Sequence, residues 1–120
     1  MNNLFNPQLT KQVIIGTKSQ SRKKIFRQMN LKFQYRSADI NERKVKNLNN
    51  DKYDALKIAK AKAVHLSKKY RNKIIITFDT TILYNKKTIY KCDTPECCKK
   101  TLKSFNRRSH SLYTAMVFMI

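Results

Sequence analysis

Glycine occurs once in the 120 residues of this chain, at Gly16, and that scarcity removes whole classes of nucleotide site. A Walker-type phosphate loop and a dinucleotide fingerprint each need several glycines at fixed spacings, so neither is present. Histidine is nearly as rare: His65 and His110 stand apart, outside any nucleophile context, and give no basis for a Ser-His-Asp or Cys-His site. The three cysteines, Cys92, Cys97 and Cys98, have no second Cys or His pair at ligand distance, so zinc is not expected. Their odd number, with no secretory leader recognisable, argues against a disulfide framework and for a reducing cytosol. Long apolar runs are missing too. Nothing, including Met116-Val117-Phe118-Met119-Ile120, approaches the roughly 18 residues of a membrane span. The expectation is a soluble, cytoplasmic chain with no membrane partner.

Acids are the other shortage. Seven Asp and Glu face 27 Lys and Arg, a net charge of +20. Such a field repels itself and draws polyanions, whether nucleic acid, nucleotides or an acidic membrane surface, and charge alone does not choose among them. The length suits one domain, which would bury about two-thirds of the surface its unfolded chain exposes.

Along the chain, residues 1–12 are polar with Pro7 and read as a flexible leader, which leaves 13–120 as a single α/β domain. Val13-Ile14-Ile15-Gly16-Thr17 reads as a strand running into the cationic, hydroxyl-rich turn Lys18-Ser19-Gln20-Ser21-Arg22 and then a helix. Residues 31–36 alternate apolar and polar as a half-buried second strand does. After an Asn-rich break, Asp51 is the expected N-cap of the longest helix. Ala55, Ile58, Ala59, Lys62, Ala63 and Leu66 recur there at spacings of three and four, which sets Lys62 on the inward stripe. Lys73-Ile74-Ile75-Ile76-Thr77-Phe78 reads as a strand buried on both faces and ending at Asp79. A hairpin turning at Asn85-Lys86, a helix opening at Pro95 behind Thr94, and a final strand over 112–120 complete the pattern. There are no internal repeats and no linker.

Chemistry gathers at a few of these positions. The turn before the first helix offers unpaired backbone N–H groups and the positive end of a helix dipole to a phosphate, with Ser19 and Arg22 beside them; the same residues would also make an ordinary basic loop with a serine cap. Lys62 on an apolar stripe either finds a partner or snorkels to water. Asp79 at the carboxyl end of a buried strand sits where open α/β sheets bind ligands, or serves as a turn residue. Glu42, in the loop after the second strand, converges with Asp79 on a divalent metal, or pairs at the surface with Arg43 or Lys44. Aromatics alternate with polar and basic residues in 33–36 and between Tyr84 and Tyr90, which suits either a base-stacking sheet or plain core.

In order, these segments resemble the Maf family of nucleoside triphosphate pyrophosphatases, the septum-formation-inhibitor-like proteins, over residues 13–118. Ile14-Ile15-Gly16-Thr17-Lys18-Ser19-Gln20-Ser21-Arg22 is similar to the family's opening Ile-Leu-Ala-Ser-x-Ser-Pro-Arg-Arg. Asp39-Ile40-Asn41-Glu42-Arg43 looks like its acidic loop, Ala59-Lys60-Ala61-Lys62-Ala63 like its Ala-x-x-Lys-Ala helix, and Phe78-Asp79-Thr80 like its Asp-Thr strand end. Lys91 matches the lysine of Gly-Lys-Pro, and Ser109-His110-Ser111-Leu112-Tyr113-Thr114 the Thr-His-x-x-Tyr-Thr segment. Ser21, Gln20, Asn41, Tyr90 and Cys92 depart from the family residues, as does the absence of glycine in Asn106-Arg107-Arg108. The resemblance implies a Maf/ITPase-like fold, a mixed sheet flanked by helices, with a second lobe left incomplete because family members continue further.

It also implies hydrolysis of a nucleoside triphosphate to the monophosphate and pyrophosphate with a divalent cation, Mg2+ first. Asp79 would be the general base, and Glu42 and Asp79 would hold the metal. Thr17, Ser19, Arg22, Lys62 and Lys91 would bind phosphates, and Arg22 with Thr80 would bear on base preference. A homodimer is compatible with this, and nucleic acid would bind only through non-specific charge. The alternatives are a non-catalytic basic nucleic-acid-binding protein and an inactive truncated Maf remnant.

Overall fold

The computed structural model describes residues 12–89, 94–104, 106 and 108–120. The β-branched run before the single glycine forms β1 (Val13–Gly16), buried along its length. Gln12, assigned to the leader by composition, already gives its carbonyl to the Ile74 N–H at 2.7 Å. Helix α1 (Gln20–Gln28) follows, capped by Ser19, whose hydroxyl accepts the Arg22 N–H at 3.3 Å. The second strand is shorter than its alternation suggests. Only β2 (Gln34–Tyr35) pairs, parallel to β1, because it is an edge strand meeting its neighbour at two positions. The alternation still describes burial: Leu31 is buried and Phe33 packs edge-on against Phe26 at 5.5 Å, so Phe33 serves the core.

A short 3-10 turn, Glu42–Lys44, precedes the long helix α2 (Asp54–Lys69). Asp51 is not its N-cap, contrary to expectation. The cap position is Tyr53, with no side-chain cap bond, while the Asp51 carboxylate accepts the Tyr53 N–H at 2.8 Å in the preceding turn. The organising acid is Asp54, fully buried at the helix start, which accepts the N–H groups of Asn49 and Asn50 and the Thr88 hydroxyl, each at 3.0 Å.

Strand β3 (Ile74–Tyr84) is the spine of the sheet, followed by β4 (Lys87–Ile89), helix α3 (Pro95–Ser104) and β5 (Ser111–Met119). On one edge β3 pairs in parallel with β1 from Val13↔Ile74 to Gly16↔Thr77, then antiparallel with β4 from Ile82↔Ile89 to Tyr84↔Lys87. Its other edge carries β5, antiparallel, from Ile75↔Met119 to Leu83↔Ser111. Among the described residues, no strand pairs with 78–81 on the first edge, and a crevice opens where β1 stops.

The two faces carry different helices. Ala63 and Leu66 of α2 pack with Ile14 and Ile75 on one face, while Phe26 of α1 packs against Val13, Ile15 and Ile76 on the other. Gly16 is the place where glycine is required: a Cβ there would meet Leu66 Cδ1 at 2.5 Å and Thr77 Cγ2 at 2.9 Å. Elsewhere asparagine does glycine's work. Asn30, Asn47, Asn50, Asn72 and Asn85 take positive φ, as does Lys86, so the Asn85-Lys86 hairpin turns with two left-handed residues, the type I′ pattern.

Against the expectation of no disulfide, Cys97 is disulfide-bonded, while Cys98 is free and exposed. No helix among the described residues is long and apolar enough to cross a membrane.

Candidate active site

The crevice beside β3 is a cavity of about 400 Å³, lined by the turn after β1, the loop after β2, the inward face of α2 and residues 78–81. That volume falls within the usual range for a small-molecule pocket. Asp79 does not end its strand as expected. It sits in mid-strand opposite Ala115 of β5, because β5 pairs continuously through both halves of β3. It still borders the crevice, since β1 stops two residues short of it on the other edge.

Side chains alternate along a strand, so Ile75, Thr77, Asp79 and Thr81 share the α2 face. Thr77 donates its hydroxyl to the Ala59 carbonyl at 2.7 Å and fixes the helix against the strand. Helical side chains lean toward the helix N-terminus, and Lys62, one turn beyond Ala59, reaches into the cavity. Its Nζ lies 3.1 Å from Asp79 Oδ1 and 2.9 Å from Glu42 Oε1. The question left open for Lys62 resolves to a partner, and Glu42 pairs there with Lys62. The Asp79 and Lys62 side chains are 7% and 16% exposed, so their charges meet largely out of water, whereas Glu42 at 41% keeps access to solvent.

Burial pushes the Asp79 carboxyl above the ordinary carboxylate range; Lys62 opposes this, Glu42 adds to it and Arg22 weakly opposes it. The second oxygen, Asp79 Oδ2, is buried and has no hydrogen-bond partner, and neither has the hydroxyl of Thr81. Orphaned buried polar atoms are costly in a folded protein and ask for an explanation at a cavity wall.

Arg22 approaches from the opposite face of the sheet. Its guanidinium lies 5.1 Å from the centre of the Phe78 ring and donates to Thr80 Oγ1 at 3.0 Å, and Thr80 in turn shares a 2.9 Å hydrogen bond with Thr114. The structure thus joins Arg22 and Thr80 in one cluster and leaves Asp79, with Lys62 and Glu42, in another; both line the same cavity. Thr17 is buried and accepts the Ser19 N–H at 3.1 Å, which shapes the turn, while Ser19 uses an acceptor lone pair on its cap bond. Lys91 lies outside the described residues.

Among those residues no group of three or more His, Cys, Asp or Glu side chains gathers to hold a metal. The two carboxylates that do meet hold an ammonium between them, and Asp79 Oδ2 remains as an acceptor without a partner. That donor set fits Mg2+, which takes one or two carboxylates and completes its shell with water and phosphate oxygens.

Sequence reasoning missed Thr81 and Asp54. The register of 79 and 81 on one strand face was the available signal for Thr81, and the string of asparagine N–H groups just before the helix was the signal for Asp54.

Comparison with known proteins matches residues 12–120 to the family model of Maf-like proteins. The chain is 29% identical over 111 residues to a nucleoside triphosphate pyrophosphatase of Chlamydia muridarum, covering 90% of this chain and 56% of that protein. It is 28% identical over 113 residues to one of Pelagibacter ubique, covering 90% of this chain and 58% of that protein. The chain spans little more than half the length of these curated relatives.

Proposed function

The chain belongs to the Maf-like protein family, and on that footing we propose that it hydrolyses a nucleoside triphosphate to the monophosphate and pyrophosphate. The observation that carries the reading is the cluster of buried Asp79, largely buried Lys62 and half-exposed Glu42, open to a cavity that Arg22 and a helix N-terminus also border. Water attacks the α-phosphorus, the bond from that phosphorus to the bridging oxygen breaks, and pyrophosphate leaves with the electron pair. Asp79 accepts the water's proton, a task for which its raised proton affinity suits it. A divalent cation, when bound at Asp79 and Glu42, would supply positive charge against the phosphate oxygens. Lys62 neutralises the two carboxylates and faces the phosphates of a bound nucleotide. The first-turn N–H groups of α1, with Ser19 and Arg22, receive the remaining phosphate charge.

Thr81 gives the water its direction in this scheme. Its hydroxyl and Asp79 Oδ2 stand two residues apart on one strand face, both buried and both without partners, and a water held by the pair would satisfy each. Thr81→Val is expected to lower kcat roughly tenfold with KM little changed, as loss of orientation does, while thermal stability holds or rises because an unsatisfied buried hydroxyl has gone. Thr81→Ser restores the rate. Equal kcat for the wild type and Thr81→Val would remove the hydroxyl from the mechanism.

The test of the whole reading is a product assay across nucleoside triphosphates with Mg2+ and with a chelator. Monophosphate and pyrophosphate in equal amounts, abolished by the chelator, are expected. Release of inorganic phosphate alone, or of nothing, overturns the proposal.

A further inference from the structure

Thr80 and Thr114 face each other across the β3–β5 pairing, and the register decides how closely. The two-residue turn at Asn85-Lys86 makes Tyr84↔Lys87 the hydrogen-bonded pair that closes the hairpin, so along β3 the even-numbered residues turn their backbone N–H and C=O groups toward β4 and β1. The Ile74 N–H, bonded to the Gln12 carbonyl, points the same way. Thr80↔Thr114 is therefore a pair whose members share no backbone bond, the kind that brings facing side chains closest. Their hydroxyl oxygens lie 2.9 Å apart, and Arg22 Nη2 donates to that of Thr80 at 3.0 Å. An unbroken chain of polar side chains thus runs from β5 through β3 to α1.

We propose that Thr114 is a positioning residue of the cavity: through Thr80 it holds the Arg22 guanidinium in place for the phosphate chain of a nucleotide, and it rests on the reading above for that ligand. A guanidinium has donors alone, so Thr80 Oγ1 accepts from Arg22 and its own O–H is left to donate. The cation draws electron density from the Thr80 oxygen, which makes that O–H the better donor of the two hydroxyls, and Thr114 accepts it. Thr80 is then held from both sides, and the lone pair aimed at Arg22 no longer rotates away. Phe78 fixes the other coordinate, since the guanidinium lies 5.1 Å from its ring centre. Arg22 spends one of its N–H donors on Thr80, and the others stay available to phosphate oxygens in the cavity that it lines.

Thr114 acts at a distance from the attacking water, which Asp79 and Thr81 face from the α2 side of the sheet. Its loss therefore weakens the ground state and the transition state alike: KM rises and kcat holds, the opposite of the effect expected for Thr81→Val. One hydroxyl contact of this kind is worth roughly a three- to tenfold change in affinity. Valine at 114 keeps the shape and β-branching of threonine at an exposed strand position, so the fold and its melting temperature are unaffected.

Calorimetric binding of inorganic tripolyphosphate with Mg2+ tests this without requiring turnover, beside KM and kcat for nucleoside triphosphates. Thr114→Val is expected to weaken tripolyphosphate binding about fivefold and to raise KM by the same factor, with kcat and melting temperature unchanged, and Thr114→Ser is expected to restore both. In an Arg22→Met background Thr114→Val should cost nothing further, because the side chain it positions has gone. The same pattern of tripolyphosphate binding with no hydrolysis by any variant strikes the pyrophosphatase reading and supports the role of Thr114. Equal affinity in the wild type and Thr114→Val, an equal loss in the Arg22→Met background, failure of Thr114→Ser to restore, or a wild type that does not bind tripolyphosphate overturns the proposal.

Discussion

Pyrophosphate release by Asp79→Asn is expected to fall on the order of 10³-fold, because the amide cannot accept the proton of the attacking water. Nucleotide binding survives, since Arg22, Lys62 and the N-terminus of α1 are untouched. The sign of the stability change separates this from damage. Burial lifts the Asp79 carboxyl above the ordinary range, so in the folded state its charged form is disfavoured relative to the unfolded chain. A group whose folded pKa is raised contributes stability below its unfolded pKa, and that contribution is lost as pH rises through the folded value. At neutral pH the ionised aspartate is thus a cost, and a neutral isostere should hold or raise the melting temperature while removing turnover. A parallel loss of melting temperature and rate would instead mark Asp79 as structural. The same shift predicts that turnover of the native chain climbs with pH through a point above the ordinary carboxylate range.

Lys62→Met should have the largest effect on folding. It leaves Asp79 7% exposed with its ammonium gone and Glu42 still nearby. Breaking one side of a buried ion pair costs about 3 kcal/mol, and here somewhat less because Glu42 can turn to water. The deficit should depend on pH in a fixed direction. Lys62 is the strongest influence holding the Asp79 pKa down, so in the variant Asp79 binds its proton more tightly than in the parent. The variant therefore regains stability on acidification from neutral pH toward the ordinary carboxylate range, where a protonated Asp79 no longer needs a cation. Urea unfolding at a series of pH values reads this directly. A deficit of equal size at every pH would mean that lost packing around the lysine stem, and not the charge, was at stake.

How far the sequence carried the site depends on the residue. Lys62 could be picked out because a cation on an otherwise apolar helical stripe breaks a period, and its partner was the missing piece. Asp79 was recognised for a neighbourhood it only partly has. The apolar run before it and the alternating run after it look like two strands, and only β5, arriving some thirty residues later, joins them into one by pairing with both. That pairing is non-local, and nothing within residues 73–84 encodes it. Asp51 and Asp54 compete for the same helix start, and local rules favour the one with an Asx-type spacing. Burial decided otherwise, since Asp54 is the acid that three hydrogen-bond donors from 49, 50 and 88 surround. The α/β class followed from strand and helix periods and the mixed sheet flanked by helices from the family resemblance, whereas the placing of α1 and α2 on opposite faces emerges only from the packing.

The left-handed asparagines at the corners have a consequence for the unfolded chain. Glycine at those five sites would adopt the same turns with less local strain, yet each would enter folding with a much wider range of backbone conformations to surrender. Asparagine accepts a small native penalty in exchange for a less disordered starting point. In this chain, whose described interior is built largely from alanine and isoleucine, that reduction in lost entropy at the bends adds to what burial contributes.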